Sequence, residues 1–342
     1  MKTYPLLTAA VLQFGLAGGA WACQPNYIVK DGDTLFTIAE EQLGDLTKWS
    51  LIFYNNPELQ GGSLLDVAVG KELVIPCPAG SVVVEADPTP LQQVDAELTL
   101  VTGSNYAPFT DRGWPGNGMV TELVNAAFEE TPEPVTFAIV WEDDWSQHLN
   151  PMLEEKVVDM GFPWYRPNCE ANPTQYRCAN FHFSDPLLDL VMLFFVNTDN
   201  PMRFETDNDV FDKNICRPKG FLTYDLDQDG RNWLADELIT LTVAPTAEAC
   251  FDLLLEGKVD AVSVNEFLGT EITYDRGLND QVSALPKPVS IQGLHVVISK
   301  RHWRGTTHLY RFNAGLAALK QSDRYNEIVS RHLNYFWERL KG

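Results

Sequence analysis

Residues 239–264 read "ITLTVAPTAEACFDLLLEGKVDAVSV". The two apolar runs at the ends, "ITLTVAP" and "VDAVSV", have the length and composition of strands, and "AEACFDLLLEG" between them reads as a helix. A strand–helix–strand unit of this kind points to an α/β fold.

The same alternation extends back to Leu98. "LTLVTG" is an apolar strand, "MVTELVNAAFEE" an amphipathic helix, "VTFAIVW" a strand and "WSQHLNPMLEEK" a helix. "VVDMGF", "LDLVMLFFV" and "NICRP" read as strands, as does "LHVVIS" near the end, where two amphipathic helices follow. The pattern predicts largely parallel sheets. Over some 240 residues it predicts two lobes rather than one core.

Residues 1–22 have one cation, Lys2, an apolar run from Leu6 to Ala20 and the close Ala20-Trp21-Ala22. That is the pattern of a secretory signal with an A-x-A-type cleavage site. An exported, periplasmic protein is expected. The six cysteines (23, 77, 169, 178, 216, 250) all follow the signal, an even number suited to disulfides in an oxidising compartment. Cys23 stands where a lipoprotein would be acylated, but bulky Trp21 and the even count favour a disulfide. The 25 cations against 47 carboxylates give a net charge of −22, which repels nucleic acid and anionic lipid.

Residues 23–77 have a different character. Asp33 or Thr34 can cap a helix with Leu35, Ile38, Ala39 and Leu43 at helical spacing, and Gly44 can end it. Thr47 can start a second helix carrying Trp49, Ile52 and Phe53. With "YIVK" and "ELVIP" as flanking strands the module reads βααβ. So small a core calls for a staple. Closing the ring through Cys23 and Cys77 contributes about 4 kcal/mol on the chain-entropy model. Residues 78–96 hold three prolines without periodicity and read as a linker.

The module's "Y-x-V-K-x-G-D-T-L-x-x-I-A", "W-x-x-I-x-x-x-N-x-P" and "G-K-x-L-x-IP" resemble the LysM domain. The resemblance implies binding of peptidoglycan or another N-acetylglucosamine glycan through Gly32, Asp33, Thr34, Leu35, Asn55 and Pro57. From residue 97 onward, "GSNYAPFTDRGWPGNGMVTEL", "WSQHLNPMLEEKVVD", "TQYRCANFHFSDP" and "CFDLLLEGKVDAV" resemble, in that order, the polar-amino-acid class of periplasmic solute-binding proteins. That resemblance implies a type II clamshell over 97–342, with lobe one formed by 97–193 and 292–342 and lobe two by 194–291. The expected disulfides are Cys23–Cys77 bracketing the module, Cys169–Cys178 within one loop, and Cys216–Cys250 joining strand to helix in lobe two.

By the same resemblance, Arg177 clamps a ligand carboxylate, Thr174 is a nearby hydroxyl and Tyr106 stacks on the ligand. Guanidinium geometry suits that task. The segment "GFPWYRPNC" departs from the family. Trp164 and Tyr165 either form an aromatic wall of the cleft, with Arg166 as a second anion donor, or fold away from it. Asn265 stands where amino-acid binders place an ammonium-pairing aspartate, so the ligand needs an anionic group but not an ammonium. Asp225, Asp227, Asp229 and Asp236 have calcium-loop spacing around Gly230; the alternative is a solvated acidic turn in which Asp229 caps a helix "RNWLADEL". No cofactor is otherwise expected. No G-x-S-x-G, H-E-x-x-H or close His/Cys set occurs.

The expectation is a monomeric, wall-anchored solute-binding protein serving a membrane transporter or sensor, and not an enzyme. The alternatives are a dehydratase-like enzyme using Glu122 or Glu266, and a glycan-binding envelope protein with a vestigial clamshell.

Overall fold

A computed structural model of the chain describes residues 25–59, 64–77, 96–228 and 230–340. The expected signal segment, Cys23, Asp229 and residues 78–95 of the expected linker lie outside them.

The N-terminal module contains β1 (Asn26–Ile28), α1 (Leu35–Leu43), α2 (Trp49–Tyr54) and β2 (Glu72–Val74), with β1 and β2 paired antiparallel. Thr34 accepts from the Thr37 amide at the start of α1, and Gly44 ends it in the left-handed region at φ 69°, where a glycine carries no Cβ penalty. Asp45, not Thr47, caps the 3₁₀ turn that leads into α2.

The other described residues build one ten-stranded sheet. Its elements are β3 (Leu98–Thr102), α3 (Met119–Glu129), β4 (Phe137–Trp141), α4 (Trp145–Gln147), β5 (Met160–Tyr165), α5 (Tyr176–Asn180), β6 (Phe181–Phe183) and β7 (Leu188–Asn197). Then follow β8 (Asn214–Pro218), β9 (Thr240–Ala244), α6 (Ala247–Leu255), β10 (Ala261–Asn265) and α7 (Glu266–Asp275). The last are β11 (Val282–Ala284), β12 (Ser290–Ser299), α8 (Gly305–Gln321) and α9 (Asp323–Leu340). The strand order is β4-β3-β5-β12-β7-β10-β8-β9, with β6 beside β12 and β11 beside β7.

Parallel pairing is confined to the two flanks, β4-β3-β5 and β10-β8-β9. The centre is antiparallel, a departure from the largely parallel sheet expected. The long strands β7 and β12 cause it, because one carries the chain out of the first half of the sheet and the other brings it back. The first half of β7 pairs with β12 and its second half with β10. Positions 193/194 and 291/292 fall inside these two strands.

Two expected helices do not form. "WSQHLNPMLEEK" breaks into α4 and a π turn, His148–Leu153, with Asn150 extended at φ −139°, ψ 120° ahead of Pro151. Proline lacks the amide a helix needs and drives its predecessor out of the helical region. "RNWLADEL" forms turns instead, because Asp227 accepts from the Leu234 and Ala235 amides at 2.7 and 3.2 Å.

The disulfides Cys169–Cys178 and Cys216–Cys250 both form, with Cα–Cα distances of 5.3 and 5.6 Å, inside the usual range. Cys77 is also disulfide-bonded. The apolar core of the module (Leu35, Ile38, Ile52, Phe53, Leu73) is continuous with that of the large domain.

Candidate functional site

A cavity of about 440 Å³ lies between two segments that sequence places far apart. Residues 167–177, the loop stapled by Cys169–Cys178, form one wall. Residues 220–228, between β8 and β9, form the other.

Arg177 is the cation of this cavity. It sits in the first turn of α5, where the Gln175 side-chain oxygen accepts from its amide at 2.7 Å and from that of Cys178 at 3.3 Å. The disulfide anchors the same turn. The guanidinium lies 4.9 Å from the centre of the Trp164 ring, a cation–π arrangement, and Nη1 donates to the Tyr165 carbonyl at 3.4 Å. Among the described residues no carboxylate comes within ion-pair distance of it. Burial lowers its pKa, yet a guanidinium remains protonated. A half-buried cation with hydrogens to spare is suited to an incoming anion.

Trp164 and Tyr165 are consecutive on β5 and point to opposite faces. Trp164 packs edge-on to Trp145 and His148, each 6.0 Å away, and its indole nitrogen has no hydrogen-bond partner among the described residues. The Tyr165 hydroxyl lies 3.0 Å from that of Tyr106, whose ring sits 6.0 Å from Trp145. Burial pushes the Tyr106 phenol up to about 12 and Tyr165 well above its ordinary value. Both are therefore neutral hydrogen-bonding groups at physiological pH.

Across the cavity, the Tyr224 hydroxyl lies 2.8 Å from the Arg166 carbonyl and 3.0 Å from the Gln292 amide oxygen. It ties the 220–228 segment to the end of β5. Asp227 lines the same wall, with Oδ1 taken by two backbone amides. The cavity thus offers one cation, one carboxylate and the amides of Asn168, Asn172, Gln175 and Gln228.

Of the residues singled out in the sequence, Arg177 lines the cavity. Trp164 lies against its guanidinium, and Tyr165 and Tyr106 meet each other, but none of these three aromatic residues is part of the cavity lining. Arg166 is exposed and faces a neighbouring cavity of about 380 Å³. Thr174 is exposed and donates to Asn172 at 3.1 Å. Asn265 is fully buried and caps α7, accepting from the Leu268 amide at 3.1 Å; it does not line the cavity. Tyr224 and Gln228 carried no signal in the sequence, because their place across the cavity from Arg177 depends on how the two walls meet.

The calcium-loop reading is corrected. Asp225 is fully buried and bound bidentate by Arg217 at 2.5 and 2.8 Å, with Ser290 donating at 2.7 Å. Asp227 commits Oδ1 to two backbone amides and Asp236 is exposed. Among the described residues no three carboxylate, histidine or cysteine side chains converge on a metal position.

Several residues expected to bind glycan have structural work. The Asp33 carboxylate accepts from Tyr27 at 2.9 Å and from the Lys30 amide at 2.7 Å. Thr34 caps α1, and Leu35 is buried. Asn55 is buried, donating to the Leu51 carbonyl at 2.7 Å and accepting from Ser330 of α9. Gly32, at φ 84°, shapes the turn before α1, and Pro57 is exposed.

No protein-family model matches the chain, and no curated protein matches it. Solved structures do. A histidine kinase sensor domain with similarity to periplasmic binding proteins matches at TM-score 0.52 and 20% identity, over 69% of this chain and 96% of that one. The fold is a periplasmic-binding clamshell. A double mutant of the Bordetella pertussis BvgS VFT2 domain matches at TM-score 0.51 and 16% identity, over 68% of this chain and 92% of that one. An ancestral arginine-binding protein bound to arginine matches at 0.50 and 17%, over 68% and 96%. On this clamshell the two walls of the cavity belong to the two halves of the sheet, the 167–177 loop following β5 and the 220–228 segment following β8.

Proposed function

We propose that the chain is an extracytoplasmic solute-binding protein that takes a small ligand with an anionic group at Arg177, for a membrane transporter or sensor. The observation that carries this reading is Arg177 itself, a cation without a carboxylate partner among the described residues, stacked on Trp164 in the cavity between the lobes. Lobe one is proposed as 97–193 with 292–342, and lobe two as 194–291. The likeness to a sensor domain and to an arginine-bound binding protein supports capture of a small molecule between the lobes. Asp227 on the opposite wall gives a donor or cationic group of the ligand an acceptor, the part the sequence left unfilled at Asn265. Phe221 and Tyr224 in the opposite wall favour a ligand with a flat or apolar body over a short polar one.

Calorimetry on the full chain with matched carboxylates and their amides tests the reading. Arg177→Ala is expected to weaken binding of the carboxylate by about 10- to 100-fold, the worth of a hydrogen bond to a charged group. Equal binding of acid and amide, unaffected by Arg177→Ala, refutes it.

Residues 23–77 are proposed as a LysM-type module that retains the clamshell at the cell wall by binding peptidoglycan or a similar glycan. With Asn55 engaged by Ser330, the glycan surface reduces to the turn at Gly32–Thr34 and the rim at Pro57. Sedimentation with insoluble wall tests it, and equal retention of a variant carrying Gly32→Trp and Pro57→Trp overturns that surface. Binding without turnover is proposed. The two acids that a dehydratase reading would use are elsewhere, Glu122 against His332 at 2.8 Å and against Arg331, and Glu266 against Tyr54.

A further inference from the structure

The N-terminal module touches both lobes at one place. Its α2 ends in Phe53-Tyr54, with Asn55 as the C-cap. Tyr54 is wholly buried; its ring lies 5.7 Å from that of Phe267, in the first turn of α7, and its hydroxyl donates to Glu266 Oε1 at 2.6 Å. Both α7 residues follow β10, in the second half of the sheet. The next residue, Asn55, accepts from Ser330 on α9, and α9 packs on the first half through α3 and α8.

Phe267 also meets two rings from the first half, Phe109 at 5.4 Å and Phe336 of α9 at 5.2 Å. All four rings are buried. One aromatic cluster therefore receives a side chain from the module, one from lobe two and two from lobe one. A few residues away Arg339 of α9 pairs with Glu271 of α7 at 3.1 Å. The module also lies against a strand that crosses between the halves. Leu193 and Phe195 of β7 line a groove of about 260 Å³ with Phe36 and Trp49 of the module.

This placement has a mechanical consequence. Any movement of lobe two away from lobe one about β7 and β12 takes Phe267 from Phe109 and Phe336. Tyr54 is bonded to the side that leaves and Asn55 to the side that stays, so the seated module must give up one of them first. Buried rings and a buried hydrogen bond hold only in their packed geometry, since a small gap already forfeits much of the contact.

We propose that the N-terminal module is a brace across the two lobes, holding them together while it is seated and freeing them to open when it is drawn off. The partner that draws it off is the N-acetylglucosamine glycan proposed above for the module's outer face, and, resting on that reading, anchoring and solute access are coupled through Tyr54. The coupling is reciprocal, because a contact that favours the closed lobes is favoured by them.

The test uses the full chain with spin labels at the exposed positions Glu133, in lobe one, and Thr240, in lobe two, and reads the interlobe distance by pulsed electron paramagnetic resonance. Tyr54→Asp sets a second carboxyl against Glu266 and unseats the module; Tyr54→Ala removes ring and hydroxyl more gently. Tyr27→Phe, which loses only the bonds to Asp33 and Glu41, both inside the module, is the control. The expected result is one short distance for the unsubstituted chain and for Tyr27→Phe, and a second, longer population in both Tyr54 variants. A wild-type distance in either Tyr54 variant whose near-ultraviolet circular dichroism is intact overturns the proposal, as does equal opening in Tyr27→Phe. No solute enters the measurement, so the result stands apart from the reading of the Arg177 cavity.

Discussion

Glu266 is a carboxyl sealed between module and clamshell, and replacing it with glutamine should change how stability depends on pH. It is 4% exposed, and its neighbour Tyr54 is 0% exposed. Burial pushes the Glu266 carboxyl from an ordinary 4.5 up to about 8, although the Tyr54 hydrogen bond works the other way. Glu271 on the same helix is paired with Arg339, so that cation is already engaged. Below pH 4.5 the acid is protonated whether the interface is closed or open, and the full stability is present. Between 4.5 and 8 the closed form keeps a proton that the open or unfolded form releases, and stability falls as pH rises. Above 8 the loss is complete. A displacement of about 3.5 pH units at 1.4 kcal/mol each gives a loss of about 5 kcal/mol across that window. Glutamine has the same shape, no charge at any pH, and still accepts from Tyr54. Urea unfolding of both full-length proteins from pH 5 to 9 reads the difference. Glu266→Gln should be close to the unsubstituted protein at pH 5 and more stable by several kcal/mol at pH 9. Parallel pH profiles would refute the reasoning, because they would mean that this carboxyl does not hold its proton in the fold.

Arg217→Met strands the Asp225 carboxylate, with only Ser290 among the described residues left to bond it, and should lower stability at pH 7 by about 3–5 kcal/mol. Arg217→Met with Asp225→Leu, which removes both charges, should recover much of that loss in the same urea titration. Millimolar calcium should leave the melting temperature unchanged, since Asp225 is committed to Arg217. A rise with the logarithm of free calcium that vanishes in Asp227→Ala would reverse this.

Local features of the fold were legible in the sequence because they depend on contacts within a few residues. The capping of α1 by Thr34, its end at Gly44, and the alternation of strands with helices from Leu98 follow from side-chain chemistry at short range. The pairing of Cys169 with Cys178 is local in the same way, nine residues apart. Arg177 was found through an ordered set of segments, and its guanidinium does face a cavity. The short-range argument failed at Pro151 and at Asp227, where a missing amide and a competing set of amides overrode a helical pattern.

The partners of the buried polar groups were decided by the tertiary structure alone. Asp225 has the spacing of a metal ligand, but it neutralises Arg217 and accepts from Ser290, 65 residues away. Asn265 has the place of a ligand contact, but it caps α7. Tyr54 and Glu266 are 212 residues apart, and nothing in either stretch names the other. The physical reason is that spacing along a chain fixes what a residue can reach within a turn or a strand, whereas a buried carboxyl, guanidinium or phenol takes its partner from whichever surface packing brings against it.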